Sequence, residues 1–214
     1  MQLLEQISIS PSEIIPADID ETPLKDEKPR DLALRLASEK ARKVYATYCN
    51  TPLSLGGEGR GEGGKDSGLN PPHSSPFPEG RGDSCYILAA DTVVACGRRV
   101  LDKTETAEEA RACLTLLSGR RHHVYGGIAL LTPSGEIRTR LVDTVVSFKR
   151  LSPSELESYL ASGQWKGVAG GYAVQGLAGA FVKSLRGSYS NVVGLSLYDT
   201  MILLDGNGFF AISP

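Results

Sequence analysis

The chain has 214 residues, of which 41% are hydrophobic and 22% charged. That length and balance suit one domain with a sizeable core and exclude a wholly disordered polymer. The 23 Lys+Arg against 25 Asp+Glu leave a formal charge of −2, which removes any global signature of nucleic-acid or membrane-surface binding but leaves room for a local phosphate-binding cleft.

The first residues, Met1-Gln2-Leu3-Leu4-Glu5-Gln6, have neither a basic nor an apolar signal-peptide region. No segment approaches the ~18 apolar residues of a membrane span. The expectation is a cytoplasmic protein that uses no membrane. Cys49, Cys85, Cys96 and Cys113 form no CxxC pair and sit at no zinc-ligand spacing to a histidine. Cys85, Cys96 and Cys113 fall in apolar segments and read as buried thiols rather than disulfide partners.

The first firm helix runs from about Pro29 to Tyr48. Proline suits its first turn, and Leu32, Leu36, Ala37, Ala41 and Val44 recur at helical spacing. Residues 51–83 carry glycine and proline runs and almost no aliphatics. They are expected to be a flexible insertion within one domain spanning 1–214. That insertion lacks the GxxxxGK[ST] arrangement of a phosphate loop.

Tyr86 to Ala90 reads as a short buried strand, followed by Asp91-Thr92, then Val93 to Cys96 and a turn at Gly97-Arg98-Arg99. Thr106-Ala107-Glu108-Glu109 is a capping box that opens a helix to about Leu117, ended by Ser118-Gly119. His123–Leu131 and Glu136–Lys149 read as two strands joined by the turn Thr132-Pro133-Ser134-Gly135. Ser152-Pro153-Ser154-Glu155 is a second capping box, whose helix ends near Ser162-Gly163. A glycine-rich stretch follows from Gly167 to Gly179. A strand is expected at Ala180–Leu185 and a last helix at Leu195–Leu204. Strands mixed with helices and no long-period repeat indicate an α/β or α+β domain.

Asp91 is the most informative residue. A carboxylate just after a buried strand suits metal binding or the orientation of water for attack on phosphorus; an Asp-Thr turn closing a hairpin fits its position equally. Lys103 and Lys40 suit phosphate neutralisation or a solvated surface. Gln175, within Gly170-Gly171-Tyr172-Ala173-Val174-Gln175-Gly176, has the donor and acceptor needed to read a base edge, or is a solvent-exposed turn residue. His122 and His123 read as structural or surface residues, and Trp165 and Tyr172 as packing residues or as rings that stack on a base.

Several segments resemble the Maf family of nucleotide pyrophosphatases. They are Asp18-Ile19-Asp20-Glu21 with Arg35-Leu36-Ala37 and Lys40-Ala41; Ala90-Asp91-Thr92-Val93-Val94; and Glu109-Ala110 through Leu117-Ser118-Gly119-Arg120 with His122-x-Val124. The closing pair, Ala169-Gly170-Gly171-Tyr172-Ala173-Val174-Gln175-Gly176 and Gly187-Ser188-Tyr189-Ser190-Asn191-Val192-Val193-Gly194-Leu195, is the most specific.

The resemblance implies a two-lobed, mixed-sheet α/β fold with a central cleft, similar to the inosine-triphosphate pyrophosphatases. It implies hydrolysis of a nucleoside triphosphate to a monophosphate and pyrophosphate, with Mg²⁺ or Mn²⁺ as cofactor. It makes Asp91 the catalytic base or a metal-site carboxylate and Glu21 its metal partner. Lys40 and Lys103 become phosphate contacts, and Thr92 and Gln175 the residues that select the base. The Tyr-Ala-Val-Gln-Gly form resembles the branch acting on dTTP and UTP. A homodimer is implied, and no nucleic-acid partner.

The sequence also departs from the family pattern. Met1 to Ile7 resembles the helix that follows the family's Ser-x-Ser-Pro-Arg-Arg phosphate loop, so that loop has no counterpart here. Val168, Gly126 and Ser196 stand where lysine, threonine and proline are usual, and the 51–83 insertion is foreign. The alternative expectation is therefore a catalytically impaired relative that binds nucleotide or a cell-division partner.

Overall fold

A computed structural model describes residues 2–50 and 85–209. The 51–83 insertion lies outside the described residues. Five strands form one sheet in the order β2-β1-β3-β4-β5. They are β1 (Ile87–Cys96), β2 (Arg99–Leu101), β3 (Arg121–Leu131), β4 (Ile137–Phe148) and β5 (Val182–Arg186). All four ladders are antiparallel; among the described residues the parallel pairing is an isolated bridge between Thr104 and Lys166. The helices are α1 (Gln2–Glu5), α2 (Pro29–Asn50), α3 (Ala107–Leu117), α4 (Pro153–Ala161), α5 (Tyr189–Val193) and α6 (Leu197–Asp205). None of them is long and apolar enough to cross a membrane.

The two faces of the sheet are covered differently. On one, α2 lays Leu32, Ala33, Leu36, Ala37 and Ala41 against Val93, Ala89 and Ala129. Small residues on both sides let the helix come close. A Cβ at Gly127 of β3 would lie only 2.0 Å from the Ala33 carbonyl oxygen, so only glycine fits there.

The opposite face carries the larger core. Val94, Val124, Val146 and Phe148 meet Leu114 and Leu117 of α3, Tyr159 of α4, and Tyr172. Leu203 and Leu204 of α6 pack on Ile128, Leu130 and Val142. Both expected capping boxes form. Thr106 and Ser152 accept from the backbone N–H groups of Glu109 and Glu155, whose carboxylates return the bond to the cap backbone.

Three sequence expectations need correction. Asp91 and Thr92 do not follow a strand or close a hairpin: they lie inside β1, paired with Gly127 and Gly126 of β3. The strand continues because an ion pair from α2 satisfies the carboxylate. The expected strand at Ala180–Leu185 begins as a 3₁₀ turn over Leu177–Phe181 and becomes extended only at Val182. The expected last helix forms as α6, and a short helix that was not expected, α5, precedes it across Gly194, at φ 142°. Cys85, Cys96 and Cys113 are half-buried rather than fully buried.

Candidate active site

The site begins with the alternation of β1. Asp91 projects onto the face covered by α2, and Lys40 on that helix reaches down to it. Lys40 Nζ lies 2.5 Å from Asp91 Oδ1 and 2.6 Å from Glu21 Oε1. Glu21 Oε2 accepts from Lys103 Nζ at 3.0 Å. The result is an alternating chain of charges, Lys103–Glu21–Lys40–Asp91. Exposure falls along it from mouth to floor: 56% at Lys103, 40% at Glu21, 18% at Lys40 and 9% at Asp91. A polyanion approaching here meets the Lys103 cation first and the Asp91 carboxylate last.

Two pieces of backbone hold the mouth. Glu21 lies on the segment before α2, and Arg35 clamps that segment. Its Nε and Nη2 donate to the two oxygens of Glu27 at 2.8 and 3.0 Å, and Nη2 also donates to the Thr22 carbonyl at 3.0 Å. Lys103 sits on the segment between β2 and α3, bridged to Ala169 of the glycine-rich stretch. Gly170 N–H donates to the Asp102 carbonyl at 3.0 Å, and Gly167 N–H to that of Thr104 at 2.8 Å. Gly170 and Gly171 both adopt φ 71°, and Gly170 lies against Val94. This left-handed pair lets the stretch turn beside β1 while holding the lysine segment.

The electrostatics match the geometry. Burial raises the Asp91 carboxyl above its ordinary value, against the opposing pull of Lys40. The hydrogen bond from Lys40 holds Glu21 below its ordinary value. Burial works against the charge on Lys40, but its bonds to Asp91 and Glu21 outweigh that and raise it. A buried carboxylate raised by desolvation is suited to accept a proton.

The donor set also bears on a metal. Among the described residues no group of three or more His, Cys, Asp or Glu side chains gathers around a point. Glu21 and Asp91, however, both converge on the Lys40 ammonium. Mg²⁺ and Mn²⁺ commonly take one or two protein carboxylates and complete their shell from substrate phosphates and water. Two convergent carboxylates fit an ion that arrives with a triphosphate.

Four of the six sequence-nominated residues thus come together: Asp91, Glu21, Lys40 and Lys103. Thr92 and Gln175 do not join them through any hydrogen bond. Thr92 points from the opposite face of β1, its hydroxyl 3.5 Å from the Gly194 carbonyl. Gln175 is exposed just before the 3₁₀ turn. His122 is fully buried, as a structural residue, with Nε2 2.7 Å from the Tyr172 hydroxyl. His123 lies 2.8 Å from Asp143 at the surface. Arg35 and Glu27 form a positioning pair that the sequence reading passed over. Its signal was slight: an acidic residue just before the helix and an arginine two turns into it.

Comparison with known proteins identifies the family. A family model described as Maf-like protein matches residues 1–207. A protein of Mesorhizobium japonicum named dTTP/UTP pyrophosphatase is 52% identical over 98% of this chain and 87% of its own length. Relatives with the same name from a Chelativorans species and from Caulobacter vibrioides are 53% and 49% identical, over 99% and 98% of this chain and 88% and 91% of their own lengths. The chain belongs to the Maf family.

Proposed function

We propose that this chain is a nucleoside triphosphate pyrophosphatase that hydrolyses dTTP and UTP to the monophosphate and pyrophosphate. The observation that carries the reading is the nearly buried Asp91 carboxylate at the inner end of the ionic chain Lys103–Glu21–Lys40–Asp91. The shared name of relatives at about 50% identity supports the choice of nucleotides.

In this reading the triphosphate enters past Lys103, whose ammonium neutralises phosphate charge. Water attacks the α-phosphorus and Asp91 takes its proton. The bond between the α-phosphorus and the bridging oxygen to the β-phosphate breaks, and pyrophosphate leaves. Because the Asp91 carboxyl is raised by burial, it holds that proton more readily than an exposed aspartate. Glu21 and Asp91 would hold a Mg²⁺ or Mn²⁺ ion, which supplies further charge neutralisation on the phosphates. Gln175 reads the base edge, and Thr92 acts from beneath, through the Gly194 backbone that its hydroxyl meets. The protein works in the cytoplasm as a homodimer, without nucleic acid or membrane.

The test is pyrophosphate release from dTTP, UTP and 7-methyl-GTP, with Mg²⁺ or Mn²⁺. The expected outcome is turnover of dTTP and UTP, reduced roughly 10²–10⁴-fold in Asp91→Asn, the range general-base catalysis supplies. No turnover by the folded wild-type protein would reject the reading.

A further inference from the structure

The position of Lys40 says more than that a phosphate contact lies nearby. Its ammonium does not face open solvent awaiting an anion. It sits between Asp91 Oδ1 at 2.5 Å and Glu21 Oε1 at 2.6 Å, on the point where the two carboxylates converge. That is also the point where a divalent cation held by the same two carboxylates would have to sit. Two cations cannot share it: at contact distance their repulsion is large even in a well-screened protein environment.

We propose that Lys40 is a built-in counter-cation that competes with the divalent metal for Glu21 and Asp91. This rests on the pyrophosphatase reading above. In the free protein the ammonium keeps the two carboxylates together and, with Lys103, balances their charge. A metal–triphosphate complex brings both things needed to exchange it, a cation for the carboxylates and an anion for the released lysine. The metal alone brings only the first, so it binds weakly until nucleotide is present.

The framework suits such an exchange. The backbone around Lys40 is fixed, because Ala37 and Ala41 on the same helix are fully buried against the sheet. The side chain is a flexible four-carbon stem, so the ammonium moves while the helix stays. Lys103, more exposed and bonded to the other oxygen of Glu21, steadies that carboxylate during the change. No other cation bonds to Asp91 among the described residues.

The test is Mn²⁺ binding to the nucleotide-free full chain, read by electron paramagnetic resonance of the unbound ion, for wild type, Lys40→Met and Lys40→Arg. Lys40→Met is expected to bind Mn²⁺ at least about tenfold more tightly than wild type, because the competing charge is gone. Lys40→Arg, which keeps a cation, is expected to stay weak. Mn²⁺ is also expected to raise the melting temperature of Lys40→Met by more than that of wild type. A Lys40→Met chain that is unfolded alone but folds on Mn²⁺ supports the proposal. One that stays unfolded in Mn²⁺, or binds it no more tightly than wild type, overturns it. Equal affinities alongside normal dTTP hydrolysis by wild type would remove this inference alone; absent hydrolysis would remove the pyrophosphatase reading instead.

Discussion

On the α2 face of the sheet, Asp91 of β1 meets a full ammonium charge. On the opposite face, His122 of β3 meets only a phenol. Both are polar groups taken from water, and the two faces accommodate them by opposite means, the second leaving His122 Nδ1 and Asn191 Oδ1 without a hydrogen-bond partner. The α2 face uses a chain of ions whose outer members reach solvent. The other encloses a neutral network: His122 with Tyr172, edge-on to Phe148, and Asn191 donating to the Val124 carbonyl and the Thr144 hydroxyl. Buried charges must be paired, whereas buried neutral groups need only hydrogen bonds. The open, charged face is equipped for chemistry, and the closed, neutral one holds the sheet that presents it.

The adjacent glycines of β3 provide the largest break in that comparison, since they face opposite ways. A Cβ at Gly127 would fall 2.0 Å from the Ala33 carbonyl, which is helix backbone and cannot turn aside. A Cβ at Gly126 would meet Asn191 Oδ1 at 1.9 Å, the end of a side chain. Gly127→Ala is therefore expected to lift α2 and cost roughly 3 kcal/mol or more in urea unfolding. It should also lower dTTP turnover by moving Lys40. Gly126→Ala is expected to cost about 2 kcal/mol and leave turnover closer to wild type. The reverse ranking would mean that α2 is not seated by close approach to Gly127.

Much of this arrangement was legible in the sequence where the signals are local. Thr106 and Ser152 announced their helices because a capping box needs only four consecutive residues. Asp91 was legible as a candidate but not as a mid-strand residue. A charge in an apolar run reads as an ending until its partner is known, and Lys40 lies 51 residues earlier, across the 51–83 insertion. The same misreading hid the facing of Thr92. Once β1 runs through both positions, the two-residue period sends neighbouring side chains to opposite faces. Helix α5 was missed because five residues are too few to show a helical period.

The neutral face gives a pH-dependent test. Burial lowers the pKa of His122 from 6.5 to about 4. Between those values the unfolded chain binds a proton that the folded chain refuses. Stability from this group is therefore complete above pH 6.5 and is lost as pH falls toward 4, by about 3 kcal/mol in total. His122→Gln keeps a partner for Tyr172 but does not titrate. Its urea-unfolding free energy is expected to decline less steeply than that of wild type over this window. Parallel pH profiles would mean that His122 is readily protonated in the folded state.

The smallest expected effect separates holding the fold from holding the site. Arg35 grips Glu27 with two hydrogen bonds and the Thr22 carbonyl with a third, one residue beyond Glu21. Arg35→Lys keeps the charge but loses the planar fork, so one of the Glu27 oxygens and the Thr22 carbonyl lose their donor. The expected cost is about 1–2 kcal/mol in stability. If the clamp serves Glu21 as well as α2, KM for dTTP rises while kcat changes little, because Asp91 and Lys40 stay in place on β1 and α2. A stability loss with an unchanged KM would make the clamp a helix anchor alone. The placement of Glu21 would then rest on Lys40 and Lys103, so the ionic chain of the active face would set its own geometry without support from the segment before α2.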